Sequence, residues 1–274
     1  SDSVKILITG STGLLGQALV KRLAPSSEVV GVSRHSPATH APHLHLRCDL
    51  TNAEETERVV RQVRPAVTIH TQALSDVDRC EVEPDEAQRM NVQTTEHLCA
   101  SLKGTDALLI ALSTDYVFDG SKESPYDELD EPHPISIYGS SKLAGERVAL
   151  RYPHAVIVRP STLFGPGRMN FCDAVVQRLQ RHEPVEAFVD QTTSPTYTED
   201  LAEGLHALLV SLRGQRLSQG SRIYHMANRG GCRRVEFATA VARFLGVDPA
   251  LIRGIPMQQQ RRPAPRPAYS ALTS

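Results

Sequence analysis

Val4-Lys5-Ile6-Leu7-Ile8-Thr9-Gly10-Ser11-Thr12-Gly13-Leu14-Leu15-Gly16 sets the architecture of this chain. A short apolar run ends in three glycines spaced three apart, and a helix is predicted to follow to about Leu23. The first glycine permits a tight turn, the second lets backbone approach a pyrophosphate, and the third lets helix pack on strand. An anion would sit at the helix N-terminus, where free N–H groups and the dipole favour it. The pattern is G-x-x-G-x-x-G rather than G-x-G-x-x-G, and its place between first strand and first helix gives it weight. Gly10, Thr12, Gly13, Leu14, Leu15 and Gly16 are therefore expected to touch a dinucleotide.

Further along, apolar runs alternate with helical patterns. Strands are predicted at Glu28 to Val32, Leu44 to Arg47, Val67 to Thr71, Ala107 to Leu112 and Ala155 to Val158. Helices are predicted at Ala53 to Val63, Pro84 to Leu102 and Tyr138 to Arg151. Such alternation means a parallel sheet covered on both faces. The fold class is thus α/β, a doubly wound parallel sheet, with a dinucleotide-binding part over residues 1–160. A smaller α/β region over 161–274 is expected to cover a substrate, some of its elements packing back on the first part. It reads as helices at Phe171 to Gln180, Asp200 to Leu212 and Val235 to Leu245, short strands at Val185 to Val189 and Ile223 to Met226, and a Pro-rich tail, irregular but packed. The polar stretch between Tyr116 and Tyr138 lacks a helical period and reads as a loop over the active site.

The end of the second strand speaks to cofactor choice. Ser33, Arg34 and His35 stand where an NAD site usually has a carboxylate for the ribose 2′-hydroxyl, whereas an arginine suits a 2′-phosphate. NADP(H) is preferred, with NAD(H) admitted. Asp49 is placed to meet an adenine amino group, or else is a turn carboxylate. Leu50 and Ala73 are expected on the same wall.

The chemistry is expected between Ser113 and Lys142. Ser113 and Thr114 follow the buried run Ala107 to Leu112, so the strand delivers two hydroxyls to the crevice. Tyr138 and Lys142, four apart on a helix, share a face. A phenol exchanges protons poorly at neutral pH unless tuned, and a cation one turn away lowers its pKa. This is equipment for moving a proton to or from a carbonyl oxygen while something else moves a hydride.

Composition sets bounds. The 274 residues are 40% hydrophobic and 22% charged with net charge −1, which is ordinary globular composition and points to neither nucleic acid nor an anionic membrane. No apolar run approaches membrane-spanning length. From the entry into a strand at Val4, no signal peptide is expected. Five cysteines without C-x-x-C spacing read as reduced thiols of a cytoplasmic protein. His35, His40, His43 and His45 lack a companion carboxylate-and-thiol pattern, so no metal is expected.

Together these residues resemble the extended short-chain dehydrogenase/reductase superfamily with its Rossmann-type sheet, and within it the dTDP-4-dehydrorhamnose reductase family. The resemblance rests on Gly10 to Gly16, Val77-Asp78 with Glu81 and Pro84, and Ser113-Thr114-Asp115-Tyr116-Val117-Phe118-Asp119-Gly120. It continues through Tyr138-Gly139 with Lys142 to Glu146, Arg159-Pro160-Ser161, Asn170-Phe171, Asp190-Gln191 with Pro195-Thr196, and Arg266-Pro267 with Ser270 and Leu272. It implies NADPH-dependent reduction at C4 of a nucleotide-linked 4-keto-6-deoxy sugar, the dTDP-linked L-sugar first. Tyr138 would protonate the oxygen, Lys142 would hold the nicotinamide ribose and tune Tyr138, and Thr114 would hydrogen-bond the carbonyl oxygen. Ser113, Tyr116, Asn170 and Arg266 would meet substrate, with Arg266 suited to a diphosphate because a guanidinium matches phosphate oxygens in a fork. A homodimer is admitted.

The chain departs from the family at Gln72, Leu74-Ser75 and Thr162-Leu163, and it has no Trp. These are positions toward substrate or nicotinamide. Two other readings stand beside the reductase. One is a nucleotide-sugar epimerase or dehydratase. The other is a non-catalytic NADP-binding subunit resembling the regulatory beta subunit of methionine adenosyltransferase.

Overall fold

The structure, a computed structural model, describes residues 3–37, 43–217 and 220–274. The first part runs β1 (Lys5–Thr9), α1 (Leu14–Leu23), β2 (Glu28–Ser33), β3 (Leu44–Arg47), α2 (Ala53–Val63), β4 (Val67–His70), α3 (Val77–Val82) and α4 (Pro84–Gln88). A π-helical turn, Arg89–Gln93, joins α4 to α5 (Thr94–Leu102), and β5 (Leu108–Leu112), α6 (Ile137–Ala149) and β6 (Ala155–Arg159) follow. Then come β7 (Leu163–Phe164), α7 (Phe171–Gln180), β8 (Val185–Phe188), β9 (Thr192–Thr193), β10 (Thr196–Tyr197) and α8 (Thr198–Leu212). The described elements close with β11 (Ile223–His225), β12 (Cys232–Arg233), α9 (Arg234–Leu245) and β13 (Ile252–Ile255).

Seven parallel strands form the main sheet in the order β11-β6-β5-β4-β1-β2-β3. Its central strands are apolar on both faces because each face carries helices. On one face Leu15, Leu19 and Leu23 of α1 meet Leu201, Leu205 and Leu209 of α8 over Ile6, Ile8, Ile69 and Ile110. On the other, Val59, Val60 and Val63 of α2 meet Leu98 and Leu102 of α5 over Leu7, Leu109 and Ile157. The order reverses between β1 and β4, so the crevice opens at the carboxyl ends of those strands. The glycine turn after β1, the segment after β4 and Ser113 after β5 all lie there.

The later elements divide. β11 extends the main sheet beside β6 and α8 covers α1, so both pack back on the first part. β8 pairs in parallel with β13, and α7 and α9 cover that pair through Val175, Leu179, Ala238 and Ala242.

Three expectations need correction. The helix expected from Pro84 to Leu102 is three pieces, preceded by α3. Pro84 starts α4 at its first turn, where a missing N–H costs nothing, and the π turn interrupts the ladder at Arg89–Gln93. Ile252–Ile255, unassigned from sequence, is a strand, because β8 supplies a parallel edge for it. The 117–137 segment does not line the cofactor cleft. It lies under the tail instead: Tyr126 bridges Leu272, Phe118 stacks on Tyr126 at 4.3 Å, and the Cβ of Pro267 is 2.7 Å from where a Cβ on Gly120 would stand. The tail is therefore an ordered strap over this loop.

Candidate active site

Gly13 is the N-cap of α1 and makes no side-chain cap, so the first-turn N–H groups of α1 face the cleft without a protein partner. Gly10 adopts φ +64°, and a Cβ on Gly16 would lie 2.0 Å from the Gly10 carbonyl oxygen. No side chain fits at Gly10 or Gly16, which leaves backbone exposed as a cradle of the kind that accepts phosphate. The cleft holds about 1340 Å³, including open solvent at its mouth. Its lining includes Gly10, Thr12, Gly13, Leu14, Leu15, Gly16, Ser33, Arg34, Ala73, Ser113, Tyr138 and Lys142, all expected from sequence. Arg34, His35, Lys142 and Arg168 also line it, and no carboxylate is among the described lining residues. A dinucleotide phosphate fits such a wall.

α6 carries the central pair. Ser136 caps it by accepting from the Gly139 N–H at 3.1 Å. A Cβ on Gly139 would stand 2.2 Å from the Tyr116 carbonyl, and one on Gly145 would stand 2.5 Å from that of Asn91. The two glycines thus let α6 press against the loop after β5 and against the π turn. Asn91, buried in that turn, accepts from the Leu74 N–H at 2.8 Å. It donates to the Leu74 carbonyl at 3.1 Å and to Ser141 at 3.0 Å. A π turn inserted here therefore clamps the cleft wall after β4 to α6.

The Lys142 ammonium donates to the Leu112 carbonyl at 2.8 Å, and burial pulls its pKa down to about 8 while Glu146 works against the fall. Burial pushes the Tyr138 phenol above its ordinary value; the Thr114 hydroxyl works the other way, and Asp115 and Tyr116 push further up. The sequence expectation that Lys142 lowers the Tyr138 pKa is not met here. The ammonium donates to a main-chain carbonyl, and the charge that bears on the phenol is the Asp115 carboxylate, which raises its pKa. Tyr116 packs edge-on against Tyr138 with ring centres 5.9 Å apart, and its hydroxyl accepts from Gln191 at 3.0 Å.

Asp115 is buried behind these groups. It accepts from Ser270 at 2.6 Å, Ser161 at 3.1 Å and Thr114 at 3.2 Å. Burial pushes its carboxyl up to about 6, and the three hydroxyls restrain the rise. Glu146 and Arg159 form a bidentate buried pair at 2.8 and 2.7 Å, and the Ser113 hydroxyl donates to Glu146.

Other expected residues sit elsewhere. Asp49 and Leu50 do not line the cleft: Asp49 accepts from the Thr51 N–H at 3.0 Å and hydroxyl at 2.7 Å as a turn carboxylate, and Leu50 is core. Thr114 and Tyr116, expected at the reacting oxygen and the sugar rather than at the cofactor, are not among the residues lining this cleft. Asn170 caps α7 and donates to the Gly165, Arg168 and Asp173 oxygens at 2.8, 3.0 and 2.9 Å. Arg266 forks onto Asp78, 3.0 Å for its longer arm, and draws that carboxyl below its usual range. It borders a separate surface hollow of about 880 Å³ with Asp190 and Arg262.

Gln72, Ser75 and Leu163, read from sequence as positions toward substrate or nicotinamide, also line the cleft, as do Met90, Arg168 and Met169, which sequence reading missed. For Arg168 there was no local signal. Burial lowers the His43 and His45 pKa values, His40 lies outside the described residues, and no metal-binding cluster is present among those described.

The family described as RmlD substrate binding domain matches residues 4–274. The chain is similar to a dTDP-4-dehydrorhamnose reductase of Mycobacterium tuberculosis, 36% identical over 279 residues, covering 99% of this chain and 86% of the relative. It is similar to the enzyme of that name from Streptomyces griseus, 35% identical over 268 residues, covering 97% and 84%. Its fold matches the crystal structure of dTDP-4-dehydrorhamnose reductase from Bacillus anthracis in complex with NADP, with TM-score 0.88, 30% identity, and coverage of 99% and 91%. A seven-stranded parallel sheet, a glycine cradle at its switch point and a full-length match agree: the chain belongs to the dTDP-4-dehydrorhamnose reductase family of extended short-chain dehydrogenases/reductases.

Proposed function

We propose that this protein reduces the C4 keto group of a nucleotide-linked 4-keto-6-deoxy sugar, the dTDP-linked L-sugar first, with NADPH. The observation that carries the reading is the placement of Tyr138 and Lys142 on the wall of a cation-lined cleft whose floor is the α1 glycine cradle. NADP(H) supplies the hydride when bound, and the relative solved with NADP has the same fold. Ser33 and Arg34 would favour the 2′-phosphate. Tyr138 gives its proton to the C4 oxygen as that oxygen becomes a hydroxyl. A phenol whose pKa is raised by burial is protonated at neutral pH and ready for this direction of transfer. Lys142 would hold the nicotinamide ribose. Thr114 and Ser113 would hold the reacting oxygen and the sugar.

The sugar nucleotide would lie past Tyr116, toward the later elements. Arg266 would reach a diphosphate only by sharing its fork with Asp78. The cytoplasm suits the reaction, and the five cysteines are all free thiols. No described helix is long and apolar enough to cross a membrane.

The test is NADPH oxidation across dTDP-, UDP- and GDP-linked 4-keto-6-deoxy sugars. Turnover is expected with a nucleotide-linked sugar and much weaker turnover with the free keto sugar, because remote binding energy raises kcat/KM. Equal kcat/KM for free and nucleotide-linked sugar contradicts the reading. Co-purification with a synthetase and no turnover would point to a regulatory subunit.

A further inference from the structure

Between β7 and α7 a short strap contributes to the lining of the cleft through Arg168 and Met169, beside the glycine turn to which Gln17 ties it. The strap is built, not loose. The Asn170 amide donates to the Gly165 carbonyl at 2.8 Å and to the Arg168 carbonyl at 3.0 Å. Gln17 of α1 donates to the Thr12 carbonyl at 2.8 Å and to the Gly167 carbonyl at 3.3 Å, so one amide ties strap to glycine turn. Gly167 holds φ +113°, and a Cβ there would stand 2.5 Å from Gln17 Oε1. The residue next to this tether is an exposed arginine. Among the described lining residues the other fixed positive charges are Arg34, at the end of β2, and Lys142, held on Leu112.

We propose that Arg168 is a cofactor-binding residue that takes the pyrophosphate of the dinucleotide from the strap beside the α1 N-terminus, with Gln17 and Gly167 setting its position. The pyrophosphate is the anion that NADPH and NADH share, and Thr12, to which Gln17 ties the strap, belongs to the turn that cradles it. A guanidinium presents a fork that matches phosphate oxygens, and the main-chain N–H groups of the glycine turn match the remaining ones. Arg34 has the different task of the 2′-phosphate. The inference rests on the dinucleotide half of the proposed function, and it does not depend on which sugar is reduced.

The experiment is equilibrium binding of NADPH and of NADH, without sugar, to the parent protein and to Arg168→Gln, Arg168→Lys and Arg34→Ala. Arg168→Gln is expected to weaken both cofactors by the same factor, about tenfold, near the lower end for a charged hydrogen bond at an exposed site. Raised salt should shrink that factor, since the site is open to solvent. Arg168→Lys should recover part of the loss through its charge. Arg34→Ala should weaken NADPH alone. Unchanged affinity for both cofactors in Arg168→Gln, or a loss confined to NADPH, overturns the assignment while leaving the reductase reading in place. A parent protein that binds neither dinucleotide overturns both. Dinucleotide binding with the expected Arg168→Gln loss but no sugar turnover upholds the inference and removes only the sugar.

Discussion

Lys142 is the residue whose environment most directly sets a measurable property of the site. A buried ammonium with a pKa near 8 loses its proton well below the ordinary lysine range. If reduction needs that charge, kcat/KM falls about tenfold per pH unit above about 8. A profile flat well past that pH contradicts the role. The same shift has a stability consequence of opposite sense. Between about 8 and 10.5 the unfolded chain binds more protons than the folded one, so this group's contribution to stability rises with pH there. Asp115 shifts the other way. Its carboxyl titrates at about 6 rather than 3.8, so in that window the folded state holds the extra proton and its contribution falls as pH rises. Ser270→Ala removes the donor at 2.6 Å and should cost about 1–3 kcal/mol at neutral pH, and less near pH 5 where the carboxyl is neutral. Urea titrations at the two pH values check this, and an equal loss at both contradicts it. Tyr138 and Lys142 were legible as a pair because their spacing and the strand before them are local. The direction of the Tyr138 shift was not, because it depends on Asp115 and on burial, which only the fold brings about.

At the scale of elements, α6 is fixed from beneath. Glu146 on α6 pairs with Arg159 at the end of β6, both almost fully buried, and Ser113 at the end of β5 joins them. Removing one partner leaves an uncompensated buried charge. Glu146→Gln or Arg159→Met is therefore predicted to destabilise by about 3–5 kcal/mol, measured as the shift in urea midpoint. The double variant Glu146→Leu with Arg159→Met should recover much of that loss. A double variant as unstable as the sum of the singles contradicts the account. Elements of the first part were readable because each strand is an unbroken apolar run and each helix has a clear period, as in Ala53–Val63 with its Asn52 cap. The π turn was not, since Arg89–Gln93 has the same composition as a regular helix. Only Asn91, which it turns toward Leu74 and Ser141, reveals its purpose.

Across the whole molecule, the later residues are held by pairings far apart in sequence. β13 closes on β8, Tyr126 bridges Leu272, and Arg266 clasps Asp78 across the chain. Long-range partners of this kind leave no local period, which is why the tail read as irregular and the pairing of Arg266 with Asp78 was not foreseen. Binding the cofactor should stabilise the assembled molecule by about 2.7 kcal/mol at a ligand concentration one hundred times Kd. A thermal or urea shift with NADPH larger than with NADH at equal concentration checks the Arg34 assignment, and identical shifts contradict it. The central claim is that Tyr138 gives the proton at C4 of a nucleotide-linked keto sugar, and the most direct measurement compares the parent protein with Tyr138→Phe. The account predicts that kcat for NADPH-dependent reduction of the dTDP-linked 4-keto-6-deoxy sugar falls about 10²–10⁴-fold while NADPH affinity stays near the parent value. A Tyr138→Phe protein that turns over this substrate at the parent rate contradicts it.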